Sequence, residues 1–164
     1  MIVVVMGVAG AGKSTVGRLL AGRLGWEFHD GDDYHLESSI EKMHKGIPLE
    51  DPDRWPWLDA LANCIRRCVH EGRSAVVACS VLKHSYRERL RLEGPDVRFV
   101  YLRVTFDIAH ARLNQRHHPF MNPSLLRTQF DALEEPHNAL HVDGSPPAEQ
   151  VVDCILDRLG LQAA

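Results

Sequence analysis

Short apolar runs alternate along the chain with longer stretches in which apolar residues recur every three or four positions. The short runs are typical of buried strands, and the periodic stretches are typical of amphipathic helices. The pattern predicts strands at 2–6, 26–29, 74–79, 97–102 and 140–142. It predicts helices at 14–24, 35–45, 53–71, 83–92, 106–115, 123–133 and 148–159. This alternation favours an α/β fold, in which a largely parallel sheet is covered by helices on both faces.

The first predicted strand leads into the segment GVAGAGKS, which matches the phosphate-binding pattern G-x-x-x-x-G-K-[ST] at Gly7, Gly12, Lys13 and Ser14. Glycines let backbone N–H groups surround phosphate oxygens, and the helix start adds a partial positive charge. Lys13 is expected to contact the β- and γ-phosphates, and the Ser14 hydroxyl is expected to hold Mg²⁺. The alternative is a chance glycine-rich turn, which the flanking strand and helix disfavour. The loop therefore predicts a nucleoside triphosphate but does not identify the phosphate acceptor.

An acidic pair, Asp30 and Asp32, follows the second predicted strand. In parallel α/β sheets, ligands bind outside the carboxyl ends of the strands. Phosphoryl transfer to a hydroxyl group needs a carboxylate beside that hydroxyl, and often a second one near the metal ion. We expect Asp32 at the acceptor hydroxyl and Asp30 on the metal side. The alternative, an acidic turn that caps the next helix, accounts better for Asp33 than for the other two.

Two pairs of basic residues stand four positions apart, so that each pair shares a helix face. Lys83 and Arg87 follow the third predicted strand and could clamp an anionic acceptor, since arginine offers a bidentate fork and lysine a point charge. Arg112 and Arg116 could close over the transferring phosphate. For both pairs the alternative is a solvated basic face. Arg54 and His35 are weaker candidates.

The composition of the chain limits its partners. It has 164 residues, 45% of them hydrophobic, and a formal net charge of -3. Without a continuous basic stripe, such a chain is not expected to bind nucleic acid. No apolar run approaches the length of a membrane span, so we expect a cytoplasmic protein without a membrane partner.

Four cysteines and ten histidines could hold a metal ion or form disulfides. The cysteines are Cys64, Cys68, Cys79 and Cys154, and they include no C-x-x-C pair. In a cytosolic enzyme, cysteines are expected to be small reduced hydrophobic residues. No histidine spacing is typical of a zinc site, so the sequence predicts no structural zinc.

Several segments in fixed order carry a resemblance to a known family: MGVAGAGKST, DGDDYH, KMHKGIPLEDPDRWPWL, VVACSVLKHSYRERLR, FVYL and QFDALEEP. Together they cover nearly the whole chain, and it closely resembles the small gluconate kinases of the P-loop kinase group. The glycine loop is common to many families, whereas the combination of the other segments is quite specific. The chain departs from the family pattern at Leu36, where a proline is usual, at Ser39, where asparagine is frequent, and at Pro119, where the lid has a histidine.

The resemblance implies one P-loop kinase domain over 1–164, with a five-stranded parallel sheet of the nucleoside-monophosphate-kinase type and a mobile lid at about 112–123. It implies that ATP and Mg²⁺ are held by Gly7, Gly10, Ala11, Gly12, Lys13, Ser14 and Thr15, with Asp30 near the metal and Arg112 and Arg116 in the lid. It implies a gluconate pocket lined by Asp32, His35, Arg54, Lys83, Arg87 and Gln129. Lys13, Asp32 and Arg116 would be catalytic, and the loop 143–147 would lie near the adenine base. Such enzymes are commonly homodimers.

We therefore predict a carbohydrate kinase that transfers the γ-phosphoryl group of ATP to the 6-hydroxyl of D-gluconate. Two alternatives stay open at this point. One is a kinase of the same fold with another small hydroxy acid, such as shikimate, as its acceptor. The other is a nucleotide-sensing module that binds ATP without turnover, although such a module has no need of the acidic pair.

Overall fold

A parallel β-sheet forms the centre of the structure, which is a computed structural model that describes residues 1–91, 97–115 and 123–164. Its strands are β1 (Ile2–Met6), β2 (Glu27–Asp30), β3 (Ala75–Ala78), β4 (Val97–Arg103) and β5 (Leu140–Asp143). They pair in the order β2-β3-β1-β4-β5, and every neighbouring pair is parallel. The prediction of a five-stranded parallel sheet is confirmed.

The helices of the described residues are α1 (Lys13–Leu24), α2 (Glu37–His44), α3 (Asp51–His70), α4 (His84–Arg91), α5 (Phe106–Gln115), α6 (Leu126–Ala132) and α7 (Ala148–Leu159). Their bounds agree with the predicted ones to within three residues. A short 3₁₀ turn occupies Pro123–Leu125, where a helix was expected to begin, and another, at Gly31–Tyr34, precedes the predicted start of α2. The largest early start is that of α3, where Glu50 and Asp53 form a reciprocal capping box that fixes the first turn.

The central strands β1 and β3 are buried on both faces, because their side chains alternate between the two faces and helices cover each face. Val3 and Val5 pack into one apolar core with residues of α1, α5 and α7. Ile2, Val4 and Met6 pack into the other with residues of α3 and α4. This arrangement confirms the predicted helices on both faces. It also leaves the carboxyl ends of the strands at one edge of the sheet, where the polar loops gather.

None of the helices in the described part of the chain has both the length and the apolar character needed to cross a membrane.

Candidate active site

The glycine loop joins β1 to α1 and is shaped by residues with backbone angles that other amino acids avoid. Gly12, which directly precedes α1, has φ of 94°, in the left-handed region. The N–H groups of the first helical turn have no partner within the helix, and the helix dipole places partial positive charge there. The loop and the helix start therefore form an anion-binding cradle.

Lys13 is the first residue of α1 and lies over this loop. Its Nζ donates a hydrogen bond to the carbonyl oxygen of Val8 at 2.9 Å. Burial lowers the pKa of Lys13, and the nearby carboxylates of Asp32 and Asp30 oppose that shift. The partly buried ammonium group thus lies close to the acidic pair, where it can stabilise negative charge on a ligand.

A cavity of about 250 Å³ opens in front of the loop. Its lining includes most of the predicted nucleotide residues, namely Gly10, Ala11, Gly12, Lys13, Ser14, Thr15, Asp30, Asp32 and Arg112, together with Gly144, Pro146 and Pro147 from the loop between β5 and α7. Gly7 is not among the lining residues. It lies at the end of β1, where a Cβ atom would come within 2.8 Å of the carbonyl oxygen of Leu102.

Arg112 connects the two loops that border this cavity. Its guanidinium donates to the carbonyl oxygen of Gly10 at 3.2 Å and to those of Gly144 and Ser145 at 2.9 and 3.0 Å. It therefore braces the glycine loop against the loop that follows β5. Arg116, and with it 116–122 of the predicted lid, lies outside the described residues, so its role stays a prediction.

A second, smaller cavity of about 60 Å³ adjoins the first. Its lining includes Lys13, Asp32, His35, Arg54 and Gln129, together with Ala9, Met43, Pro48, Leu49, Ser80, Leu125 and Thr128. Lys13 and Asp32 line both cavities. The structure thus places one cation and one carboxylate where the cavity in front of the glycine loop meets the smaller cavity.

The turn that carries the acidic pair is fixed from two sides. Asp30 accepts a hydrogen bond from the backbone N–H of Asp32 at 3.2 Å and so caps this turn. The residue at the cap position of the next helix, α2, is Leu36. On the other side, Trp57 Nε1 donates to the carbonyl oxygen of Gly31 at 2.7 Å. These contacts hold the Asp32 backbone next to the sheet edge.

His35 lies in the smaller cavity with its ring stacked on Trp57, at 4.3 Å between ring centroids and an interplanar angle of 14°. Burial, and then repulsion from Arg54, lowers the pKa of His35 to about 4. The imidazole is therefore neutral at physiological pH. Its Nδ1 is buried and has no hydrogen-bond partner among the described residues. Such an atom is costly unless a ligand satisfies it.

Gln129 of α6 also reaches the junction. Its Oε1 accepts a hydrogen bond from the backbone N–H of Ala9 at 2.7 Å, which ties α6 to the glycine loop. Sequence reasoning missed Ser80, Thr128 and Trp57. Ser80 could have been found by the strand-end rule, because it follows β3 closely. Nothing in the local pattern indicated the contact of Trp57 with Gly31.

The predicted anion clamp of Lys83 and Arg87 is not formed in this structure, and neither residue lines the smaller cavity. Lys83 precedes α4, and its Nζ contacts Asp51 Oδ1 at 3.0 Å. Arg87 is buried and donates to the carbonyl oxygens of Val81 and Leu82 at 3.1 and 2.8 Å. Arg87 is buried because the face of α4 that carries it packs onto the loop after β3 instead of facing solvent.

Comparisons with known proteins agree with this geometry. Residues 9–159 match the family described as shikimate kinase. The chain is 42% identical to a probable gluconokinase of Rattus norvegicus, with 96% of this chain and 97% of that protein covered. It is 41% identical to the thermoresistant gluconokinase of Escherichia coli, with coverage of 92% and 89%.

Solved structures give the same result. A gluconokinase from Sinorhizobium meliloti superposes with a TM-score of 0.83 at 41% identity and covers 96% of this chain and 91% of its own. A shikimate kinase from Aquifex aeolicus superposes with a TM-score of 0.59 at 20% identity, which shows the shared fold. The chain therefore belongs to the shikimate kinase family of P-loop kinases and, within it, to the gluconokinases.

Proposed function

We propose that this enzyme transfers the γ-phosphoryl group of ATP to the 6-hydroxyl of D-gluconate and releases ADP and 6-phospho-D-gluconate. The observation that carries the proposal is that Lys13 and Asp32 line both cavities. A donor phosphate on one side and an acceptor hydroxyl on the other would meet between a cation and a carboxylate. The relatives at 41–42% identity are named as gluconokinases, which supports gluconate as the acceptor.

In the reaction, the 6-hydroxyl oxygen of the acceptor forms a bond to the γ-phosphorus while the bond from that phosphorus to the bridging oxygen of ADP breaks. The hydroxyl proton passes to the Asp32 carboxylate, which also orients the oxygen. The transition state spreads negative charge over the transferred phosphoryl oxygens. Lys13 and the N–H groups at the start of α1 stabilise that charge.

The donor set at the cavity fits Mg²⁺, because the Ser14 hydroxyl and the Asp30 carboxylate are the hard oxygen ligands that this ion prefers. We propose these two residues as its protein contacts. When bound, Mg²⁺ neutralises charge on the β- and γ-phosphates. Asp30 has a further task in this chain, since it also caps the turn that presents Asp32.

We assign acceptor recognition to the side chains of the smaller cavity. Arg54 offers a bidentate fork for the carboxylate of a sugar acid, and among the described residues it is the only arginine that lines the smaller cavity. The neutral imidazole of His35 can donate or accept a hydrogen bond with a sugar hydroxyl, which would satisfy its buried Nδ1.

The experiment that tests this proposal is an ADP-release assay with purified enzyme, ATP and Mg²⁺ against a panel of acceptors. D-Gluconate should give the highest kcat/KM among gluconate, its stereoisomers and shikimate. Highest turnover of shikimate would overturn the assignment of the acceptor. Binding of ATP without ADP release for every acceptor would instead support a nucleotide-sensing module.

We also propose that the enzyme works in the cytoplasm as a homodimer. The described cysteines, Cys64, Cys68, Cys79 and Cys154, are free thiols, which suits a reducing compartment. The homodimer rests on the resemblance to gluconate kinases. Sedimentation or light-scattering measurement of the mass in solution tests it, and a monomeric mass at assay concentration would refute it.

A further inference from the structure

The metal-ligating atoms of three residues, His29, Cys64 and Cys68, lie within 4.8 Å of one another, although His29 is far from the two cysteines in sequence. His29 lies on β2, the edge strand of the sheet, and the two cysteines lie one turn apart on α3. None of the three lines either cavity of the candidate active site. The cluster is therefore a separate feature that phosphoryl transfer does not use.

The distances within the cluster are close to those of a tetrahedral metal site. His29 Nε2 lies 3.8 Å from Cys64 Sγ and 3.9 Å from Cys68 Sγ. A tetrahedral zinc ion with ordinary bond lengths to sulfur and nitrogen separates such ligand atoms by about 3.6 Å. The two nitrogen–sulfur distances therefore exceed this separation by only a few tenths of an ångström, and the two sulfurs lie within 4.8 Å of each other.

A hydrogen-bond partner fixes the imidazole on its other side. The hydroxyl of Tyr34 lies 3.2 Å from His29 Nδ1 and also 3.2 Å from Cys64 Sγ. With the proton of the neutral imidazole on Nδ1, His29 donates to the Tyr34 oxygen, and Tyr34 donates to the sulfur. Nε2 then keeps a lone pair for a metal ion. Because Cys64 Sγ lies 3.7 Å from Nδ1 and 3.8 Å from Nε2, the imidazole ring has to turn to direct that lone pair at the sulfur. Histidines that bind metals are commonly oriented in this way by a hydrogen bond from the distal nitrogen.

The charge and softness of the cluster indicate the class of ion. Two thiolates and one neutral imidazole neutralise one divalent cation, which suits the buried positions of Cys64 and Cys68. Sulfur and imidazole ligands select zinc and related thiophilic ions over magnesium. The side chain of His29 is 22% exposed, so an ion can enter from solvent, and the Glu27 carboxylate stands 3.3 Å from His29 Nε2 at the same opening.

We propose that His29, Cys64 and Cys68 form a binding site for a thiophilic divalent cation of the zinc class, which clamps β2 to α3. The sequence predicted no structural zinc because no spacing along the chain indicated one; the fold assembles the ligands instead. Occupancy of the site stabilises the edge strand. Since β2 leads directly into Asp30 and Asp32, it also restrains the turn that carries the acidic pair.

The test is a titration of the reduced, chelator-treated enzyme with Cd²⁺ alone and with Zn²⁺ alone. Wild-type enzyme should bind one ion per chain, show an ultraviolet sulfur-to-cadmium charge-transfer band, and unfold at a temperature that rises with metal concentration. Cys64→Ser and Cys68→Ser should each weaken binding by more than about 100-fold, because they remove a ligand directly. Cys154→Ser, which changes a cysteine on α7, is the matched control and should bind like wild type.

Tyr34→Phe separates a metal site from a mere pair of reactive thiols. It keeps both sulfurs but removes the hydroxyl that orients His29, so affinity should fall by about tenfold while the charge-transfer band persists. Cadmium NMR of the wild-type complex gives a reading that needs no substitution and should report two thiolates and one imidazole. No band in the wild type, oxygen-only coordination, or undiminished binding by both Cys64→Ser and Cys68→Ser would overturn the proposal.

Discussion

The buried imidazole of His35 predicts a specific dependence of stability on pH. Its pKa falls from 6.5 to about 4 on folding, chiefly because burial disfavours the charged ring. Between those pH values the unfolded chain holds a proton on this residue that the folded chain does not. The contribution of His35 to stability is therefore complete above pH 6.5 and is lost as the pH falls toward 4.

The replacement His35→Phe removes this titration while keeping an aromatic ring on Trp57. From the two pKa values, lowering the pH from about 7.5 to about 5 should destabilise the wild type by about 2 kcal/mol through this one residue. The variant should lack that contribution. The substitution also changes the free energy of unfolding in ways that do not depend on pH, through the larger phenyl ring and the loss of the unpaired Nδ1. These effects cancel when each protein is compared with itself at the two pH values.

The assay is urea unfolding of both proteins at each pH, with the histidine proton resonances followed in parallel by NMR. The stability difference between variant and wild type should shift in favour of the variant by about 2 kcal/mol at the lower pH. A shift below about 0.5 kcal/mol, or titration of the folded His35 near its ordinary pKa, would refute the reasoning. Because the variant also loses a polar group of the acceptor cavity, its KM for gluconate should rise.

Other substitutions test the positions of individual side chains. Arg87→Met should lower the free energy of unfolding by about 2 kcal/mol in urea melts, since it leaves the loop carbonyl groups without their hydrogen-bond donor. A higher KM for gluconate with unchanged stability would instead favour the anion clamp predicted from sequence. Arg54→Ala should raise the KM for gluconate by about tenfold or more and leave that for ATP unchanged. Lys83→Ala should also raise the KM for gluconate, but by less than Arg54→Ala does, because Lys83 pairs with Asp51 outside the cavity. A larger increase than that of Arg54→Ala would contradict the placement of Lys83 outside the cavity. Gly31→Ala should lower kcat by about tenfold or more, because the added Cβ would lie 2.7 Å from the carbonyl oxygen of Ala78 and displace the turn that carries Asp32. A kcat within twofold of the wild-type value would contradict this prediction.

Local patterns predicted those parts of the molecule that depend on neighbours in sequence. The strands and helices follow from hydrophobic periodicity, and the glycine loop follows from a motif whose strand, turn and helix are contiguous. The acidic pair was placed correctly at the edge of the sheet, because a residue directly after a parallel strand reaches the ligand-binding side. In each case the information lies within a short stretch of chain.

Patterns of spacing failed where the outcome depends on what packs against an element. The four-residue interval between Lys83 and Arg87 showed that they could share a face of α4, but not that Arg87 would be buried against the loop after β3. The contact between Trp57 and Gly31 joins two segments that no local pattern connects. The cluster of His29, Cys64 and Cys68 was missed for the same reason, since its ligands come from a strand and a helix.

The central claim is that Asp32 acts on the acceptor hydroxyl at the junction of the two cavities. It is tested most directly by comparing Asp32→Asn with Asp33→Asn, a neighbouring exposed carboxylate, in single-turnover phosphorylation of gluconate at saturating ATP. Asp32→Asn should slow phosphoryl transfer by about 10²- to 10⁴-fold without weakening ATP binding, while Asp33→Asn should react at close to the wild-type rate. If Asp32→Asn transfers phosphate as fast as Asp33→Asn, the account is contradicted.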